Sequence, residues 1–499
     1  MINPKYGKRR FAMDFKNLPP LIFPSSNRTE RALITKLKKE GRIHAVGPRL
    51  YSSLPKEEWA SAVRGNWATL VSTLFPGVLL SHRTALEITP SSEGVVFITS
   101  GTSRTLNYPG LTLKFIKGPK ALEDDSNFMN IRYSSLARAL LENLSTVHKN
   151  EKRQRNLPRK NIEKKLEEIL HLKGEKELCK IRDRARQIAE QLNWAKEFKK
   201  LNALISAMLG MGESNKLVTK SAKARSIGKP YDTSALERFE ILFAALKTQI
   251  WSEEKSAFNS SEHFKNKAFF EAYFSNYIEG TTFELEEAEE IIFDRKVYEQ
   301  RPKDSHDVLG TFQIVSDPNE ICLTPITFKA FENLMKKRHL KLMGARPEVQ
   351  PGNYKNKSNS NRAGNTHFVH PDYLLGTLEQ GFKFYLELPE GLARAIYIMF
   401  LIAEIHPFAD GNGRLARVFM NAELTKKSMS RIIIPNVFRE DYVGALRAMS
   451  RRGRTAPMIK MIRKAFKFSD LNFENYQKVL EHIKAHRWFE EPADSKIIL

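Results

Sequence analysis

Cysteine is scarce in this chain: Cys179 and Cys322 are the only two among 499 residues. Two thiols so far apart, outside any CxxC spacing, support neither a disulfide framework nor a structural zinc site. Long apolar runs are missing too. The longest, Ala395–Ala403 (AIYIMFLIA), is too short to cross a bilayer and reads as a buried helix. The opening stretch MINPKYGKRRFAMDF carries charge but no apolar h-region, so no secretory leader is expected. These absences predict a reducing, cytoplasmic setting with no membrane partner. Acidic residues are thin on one side only. Residues 1–250 hold 45 Lys+Arg against 24 Asp+Glu, whereas residues 251–499 hold 36 against 33. Nearly all of the net charge of +24 therefore lies in the first half. Such asymmetry points to a polyanion engaging one half of the chain.

What the sequence does hold is concentrated in His406–Arg417, HPFADGNGRLAR. Gly411 and Gly413 can adopt positive φ, letting backbone N–H groups converge on an anion. A helical pattern, Arg414–Leu424, leaves the turn, and the unpaired donors and positive dipole end of a helix favour phosphate. Arg414 and Arg417 sit three apart and share a helix face, where two guanidinium forks can hold successive phosphates. Asp410 is a hard oxygen ligand suited to Mg2+ between phosphates. His406 is the side chain most readily used as a general base near neutral pH. A Gly-Asn-Gly turn or a His before Pro is commonplace in structural loops. The joint pattern is far more specific.

This dodecamer resembles the active-site motif HxFx(D/E)GNGRxxR of Fic-domain proteins and meets every fixed position. The resemblance implies a mainly α fold, with a helical Fic core and a β-hairpin flap. It also implies transfer of AMP from ATP to a Ser, Thr or Tyr hydroxyl of a target protein, the chain itself included. His406, Asp410, Asn412 and Arg414 would form the catalytic set, with His406 accepting the hydroxyl proton. Phe408 would anchor the loop, and Asp410 would hold Mg2+. Gly411, Asn412, Gly413 and Arg414 would form the anion hole for ATP, and Arg417 would meet the γ-phosphate. Family members that phosphorylate carry lysine at the place of Gly413, so the glycine argues for nucleotidyl transfer.

Upstream, Phe274–Gly280 reads FSNYIEG. Ser275 and Glu279 are four apart and share a helix face, and Gly280 allows the helix to end there. The stretch resembles the family's inhibitory motif (S/T)xxxE(G/N), in the class whose inhibitory helix precedes the core. The resemblance implies that Glu279 pairs with Arg417 where the γ-phosphate belongs. One arginine cannot serve a carboxylate and a phosphate at once. A third stretch, Arg346–Pro371, is polar and rich in Gly, Pro and Asn, which reads as a long loop or hairpin. It resembles the family's PGxYR segment and target-docking flap, with Gly352, Tyr354 and Lys355 as docking residues and strand addition as the docking mode. Lys355 departs from the usual arginine. Three other features are weaker. His367 and His370 lack a carboxylate partner nearby and read as loop residues. Arg451, Arg452 and Arg454 read as a solvated turn. Asn421 shares a helix face with Arg414 and is a candidate for the adenosine side of the cleft.

In the basic half, Arg28–Glu40 has a helical apolar pattern with a basic opposite face, and Gly41 ends it. GRIHAVGPRLYSS follows, two short alternating stretches around Gly47-Pro48 that predict a hairpin wing. A basic helix followed by a wing is the DNA-contacting half of a winged helix. Over roughly residues 25–145 the order of blocks resembles AbiEi-type antitoxins and related transcriptional regulators. The expected organisation is a small α+β winged-helix-like region over 1–60 and a regulator-like α+β and helical region over 61–210. A linker over 211–234, the Fic domain over 235–466 with its inhibitory helix near 270–280, and a helical tail over 467–499 complete it. Two functional readings follow: a protein AMP-transferase restrained by Glu279, with duplex DNA as a partner of residues 1–210, or a DNA-binding regulator whose Fic domain senses nucleotide or removes AMP.

Overall fold

The computed structural model describes residues 18–24, 27–146, 154–251, 255–358, 362–363 and 366–490. The chain divides into two compact units, Met1–Ser226 and Ile227–Leu499. No helix among the described residues is long and apolar enough to cross a membrane.

In the first unit, Asn27 caps helix α1 (Arg28–Lys39) by accepting from Thr29 N–H, and Ile34 and Leu37 face inward. Strands β1 (Leu21–Ile22), β2 (His44–Gly47) and β3 (Leu50–Ser52) form an antiparallel sheet in the order β1-β3-β2. The expected hairpin is therefore β2-β3. Leu21, Val46 and Leu50 share one core with Val63, Leu70 and Val71, so no boundary falls at residue 60. Those last three belong to α2 (Trp59–Gly65) and α3 (Trp67–Leu74).

The next stretch holds β4 (Leu79–Leu80), α4 (His82–Glu87), β5 (Val95–Ser100), β6 (Arg104–Tyr108), β7 (Leu111–Lys117), β8 (Ser126–Phe128) and β9 (Ile131–Tyr133). They build a six-stranded mixed sheet, order β6-β7-β5-β4-β9-β8, with β5/β7 and β4/β9 parallel. Central strand β5 is buried on both faces, the environment its VVFIT run suits. Helix α5 (Leu136–Asn143) buries Arg138 between Asp125 (2.7 Å) and Glu142 (2.9 Å). Helix α6 (Arg159–Leu192), interrupted at Gly174 (φ 79), and α7 (Ala195–Met208) form the charged helical pair. Of the 211–234 segment, the part up to Ser226 is packed into the first unit, and the division between the units falls just after it. Leu217 and Ala222 are buried, Val218 and Thr219 donate backbone N–H groups to Glu163, and α8 (Lys220–Ser226) packs in the same core.

The second unit is helical. It runs through α9 (Thr233–Lys247), α10 (Ser261–Ile278), α11 (Leu285–Phe293), α12 (Pro302–Val315), α13 (Pro318–Ile321) and α14 (Phe328–Met343). A short antiparallel pair, β10 (Arg362–Ala363) with β11 (Thr366–His367), makes the hairpin of the flap. Then come α15 (Pro371–Glu387), α16 (Leu392–Ile405), α17 (Asn412–Lys426), α18 (Arg439–Arg452), α19 (Thr455–Phe468) and α20 (Tyr476–Ala485). Helix α16 contains the AIYIMFLIA run and is buried nearly all round, as a helix without a polar face must be. The tail belongs to the core: Trp488 is fully buried, stacked on Phe468 at 4.7 Å and edge-on to Phe274 at 5.7 Å.

Candidate active site

The site is the sharp turn between the buried helices α16 and α17. His406 ends α16 in the left-handed region (φ 52) and caps it with a backbone bond to Ile402 O. A bulky residue at positive φ is held there only by its surroundings. Its Nδ1 lies 3.0 Å from Ala403 O. A carbonyl can only accept, so Nδ1 carries the hydrogen and Nε2 keeps a free lone pair. The ring stacks on Phe368 at 3.7 Å and 6°. Burial, with Lys355 next, pushes the His406 pKa down to about 4, so the imidazole is neutral at pH 7.

Beneath the turn, Phe408 is fully buried and stacks on His339 at 3.8 Å. Asn412 clamps it, accepting from Phe408 N and donating to Phe408 O, each at 2.9 Å. His339 receives Gly352 N–H on Nδ1 (2.9 Å), so its Nε2 donates to Asp410 O (3.0 Å). Burial brings His339 down to about 4 as well, consistent with that neutral tautomer. Gly411 sits at φ 75, and a Cβ there would lie 2.7 Å from Met343 Sδ. Gly413 differs from expectation: it lies inside α17 without positive φ, and what it supplies is room. A Cβ on it would meet Glu279 Oε1 at 2.1 Å.

Asp410 is the one exposed member, its Oδ1 accepting its neighbour Gly411 N–H at 2.7 Å and its Oδ2 3.9 Å from Arg414. Among the described residues no cluster of three or more metal-ligating groups is present. A single half-exposed carboxylate is nonetheless how a protein holds Mg2+ that is otherwise ligated by water and phosphate.

The two arginines are deeply set and pre-positioned. Arg414 Nη1 donates to Asp307 Oδ2 (2.7 Å) and Asn276 Oδ1 (3.2 Å). Asp307, fully buried on α12, also receives Arg346 at 2.9 Å. Arg417 donates Nε to Ser275 Oγ (3.0 Å) and Nη2 to Ser275 O (2.7 Å), and its Nη1 lies 2.9 Å from Glu279 Oε1. Glu279 ends α10, and Gly280 (φ 88) turns the chain away. Burial alone would raise the Glu279 carboxyl, but Arg417 foremost and then Arg414 hold it below the usual range.

His406, Gly413, Arg417, Glu279, Phe368 and Tyr442 line one cleft of about 250 Å³. A larger cavity between α18 and α19, about 700 Å³, has only lysines, acids and apolar groups on its walls. Chemistry rather than size selects the smaller one.

Some expectations are displaced. Lys355 is 4% exposed, its Nζ donating to Ile405 O (3.1 Å) and its N–H to Pro407 O (2.9 Å). Tyr354 packs on Phe408 at 5.3 Å. Both side chains support the turn from within, so Lys355 is out of reach of a docked target. Asn421 is fully buried and bonded to Glu271 and Ile432, away from the cleft. His370 caps α15, and Arg451 and Arg452 are exposed at the end of α18. Sequence reasoning missed Phe368, His339, Asp307, Asn276 and Tyr442. Phe368, a lone aromatic at the end of a polar stretch, was the one with a readable signal.

Residues 327–424 match the family model described as Fic/DOC family. The chain carries a Fic domain. It is similar to "Protein adenylyltransferase Fic" of Drosophila persimilis, 27% identical over 220 residues, 42% of each chain. Its likeness to the protein of that name in Drosophila melanogaster is 26% over 205 residues, 40% of each. The chain thus spans about two fifths of these relatives' length. Among solved structures, Fic-1 (residues 134–508) from C. elegans is 18% identical and covers 65% of this chain and 93% of that one, with a TM-score of 0.36. A Fic family protein from Desulfovibrio desulfuricans is also 18% identical, covering 51% and 77%, with a TM-score of 0.34.

Proposed function

We propose that this chain is a protein adenylyltransferase, moving AMP from ATP to a hydroxyl of a protein, with Glu279 as its brake. The observation that carries the reading is the His406 tautomer. With Nδ1 held by Ala403 O, His406 lines the cleft together with Gly413, Arg417 and Glu279. In the proposed reaction Nε2 accepts the target hydroxyl proton as its oxygen bonds to the α-phosphorus. The bond from that phosphorus to the bridging oxygen breaks, and pyrophosphate leaves. The α17 N–H groups and Arg414 stabilise the charge that develops on the phosphates. Asp410 would hold Mg2+, which neutralises phosphate charge. Arg414 is held in place through Nη1 by Asp307 and Asn276. Arg417 is engaged by Glu279, so a γ-phosphate must displace that carboxylate. Incubating the wild type, His406→Ala and Glu279→Gly with labelled ATP and candidate targets tests the reading. Equal labelling by His406→Ala would refute the base.

A second role rests on the first unit. Helix α1 turns Ile34 and Leu37 inward and leaves Lys36, Lys38 and Lys39 exposed, with the β2-β3 wing following in sequence. We propose that this face binds duplex DNA through phosphate contacts. Binding by the full chain must then weaken steeply with salt; no retention on duplex at low salt ends this part.

A further inference from the structure

A separate cavity of about 380 Å³ lies at the opposite end of α10 from Glu279. Its walls include four groups that are almost fully buried: His263, Lys267, Ser430 and Arg431, each 5% exposed or less. Lys267 Nζ donates to Ser430 Oγ (2.5 Å) and Ser469 O (2.8 Å), both neutral acceptors. Among the described residues it forms no ion pair, and its remaining side lies over the Phe473 ring, 5.2 Å from the centroid. Arg431 donates to Val315 O and Phe264 O and lies 3.1 Å from Glu271 Oε2. Glu271 is thus a single buried carboxylate against two buried cations, and its Oε1 is taken by Asn421 at 2.8 Å. Asp470 and Glu474 act only from the exposed surface. His263 receives Phe473 N–H on Nδ1 (3.0 Å), which places its own hydrogen on Nε2. The first turn of the 18-residue α10 adds the positive end of its dipole.

A buried cation without a counter-charge is costly. Burial, with Arg431 next, brings Lys267 down to about 7, the response of a group short of an anion. We propose that this cavity binds a small oxyanion of the phosphate type, held by the two buried cations Lys267 and Arg431. Lys267, Glu271, Ser275 and Glu279 recur every four residues along one face of α10 and meet Ser430, Asn421 and Arg417. A ligand here would stiffen the row whose far end holds Glu279. The site does not depend on AMP transfer.

Amide exchange of the full chain tests it, with inorganic phosphate compared against sodium chloride at equal ionic strength. Exchange over residues 258–271 and 425–433 should slow by about tenfold once phosphate is ten times its dissociation constant. No slowing, or slowing confined to 406–417, overturns the proposal. Lys267→Met keeps the aliphatic volume and removes the charge. It should lose the response at 258–271 while keeping any response at 406–417; a retained response at 258–271 overturns the proposal. If Lys267→Met does not fold, the native-chain comparison decides alone.

Discussion

At the scale of single residues, the proposed chemistry turns on how His406 and Glu279 are held. A histidine brought down to about 4 by burial stays unprotonated far below the usual histidine range. The acid limb of kcat/KM for AMP transfer should therefore lie near pH 4 to 5, not near 6.5, the unperturbed value. A pH profile bending near 6.5 would show that the cavity does not desolvate the ring as drawn. Glu279→Gly removes the partner of Arg417 and frees the space over Gly413. Auto-AMPylation should rise by at least about tenfold, equivalent to about 1.4 kcal/mol, read as label incorporated per hour; an unchanged rate sinks the brake. HPFADGNGRLAR was legible because a helix–turn–helix backbone dictates where its side chains go. Asp307 and Asn276 were not, because their roles come from an arginine 107 and 138 residues away.

At the scale of elements, the site depends on three helices that must approach closely. Helix α12 carries Asp307, which fixes Arg414, and packs on α14 through Gly310. A Cβ there would lie 2.5 Å from Lys341 O. Backbone cannot give way cheaply, so Gly310→Ala should destabilise the protein by about 1–3 kcal/mol and lower transfer as well. Denaturant midpoints and initial rates measured together check this; a stable but inactive variant would place Gly310 in the chemistry instead. The linker expected over 211–234 contains the division between the units, yet its first part is packed. Gly, Ser and Lys are compatible with either a linker or a packed segment, and Glu163, some 55 residues earlier, decides by taking the Val218 and Thr219 N–H groups. The flap hairpin was readable from turn chemistry, whereas the inward Lys355 was not. Only the fold sets its side chain beneath Ile405.

For the whole molecule, the C-terminal segment and the buried histidines set stability. Trp488→Ala removes a fully buried ring stacked on Phe468 and should cost about 3–5 kcal/mol, measured by denaturation. A loss near zero would mean that the tail is not part of the core. Burial pushes His82 down to about 3 and His263 and His339 to about 4. Folded, these groups refuse protons that the unfolded chain accepts below about 6.5. Their stability is therefore complete above that pH and lost as pH falls toward 4. Glu423, raised to about 6, works in the opposite sense over a narrower window. The net loss between pH 7.5 and 5.5 should be on the order of 1–3 kcal/mol, and a denaturation midpoint that holds steady would contradict it. The sequence by itself determined the Gly-Asn-Gly turn, the histidine before it, the two arginines after it and the basic first half, since spacing and charge are local properties of the chain. Only the tertiary structure decided that Glu279 reaches Arg417, that Asp307 holds Arg414, and that Lys267 and Arg431 line one cavity. Those outcomes depend on which distant helices pack together, and packing is settled by the shape of the whole core.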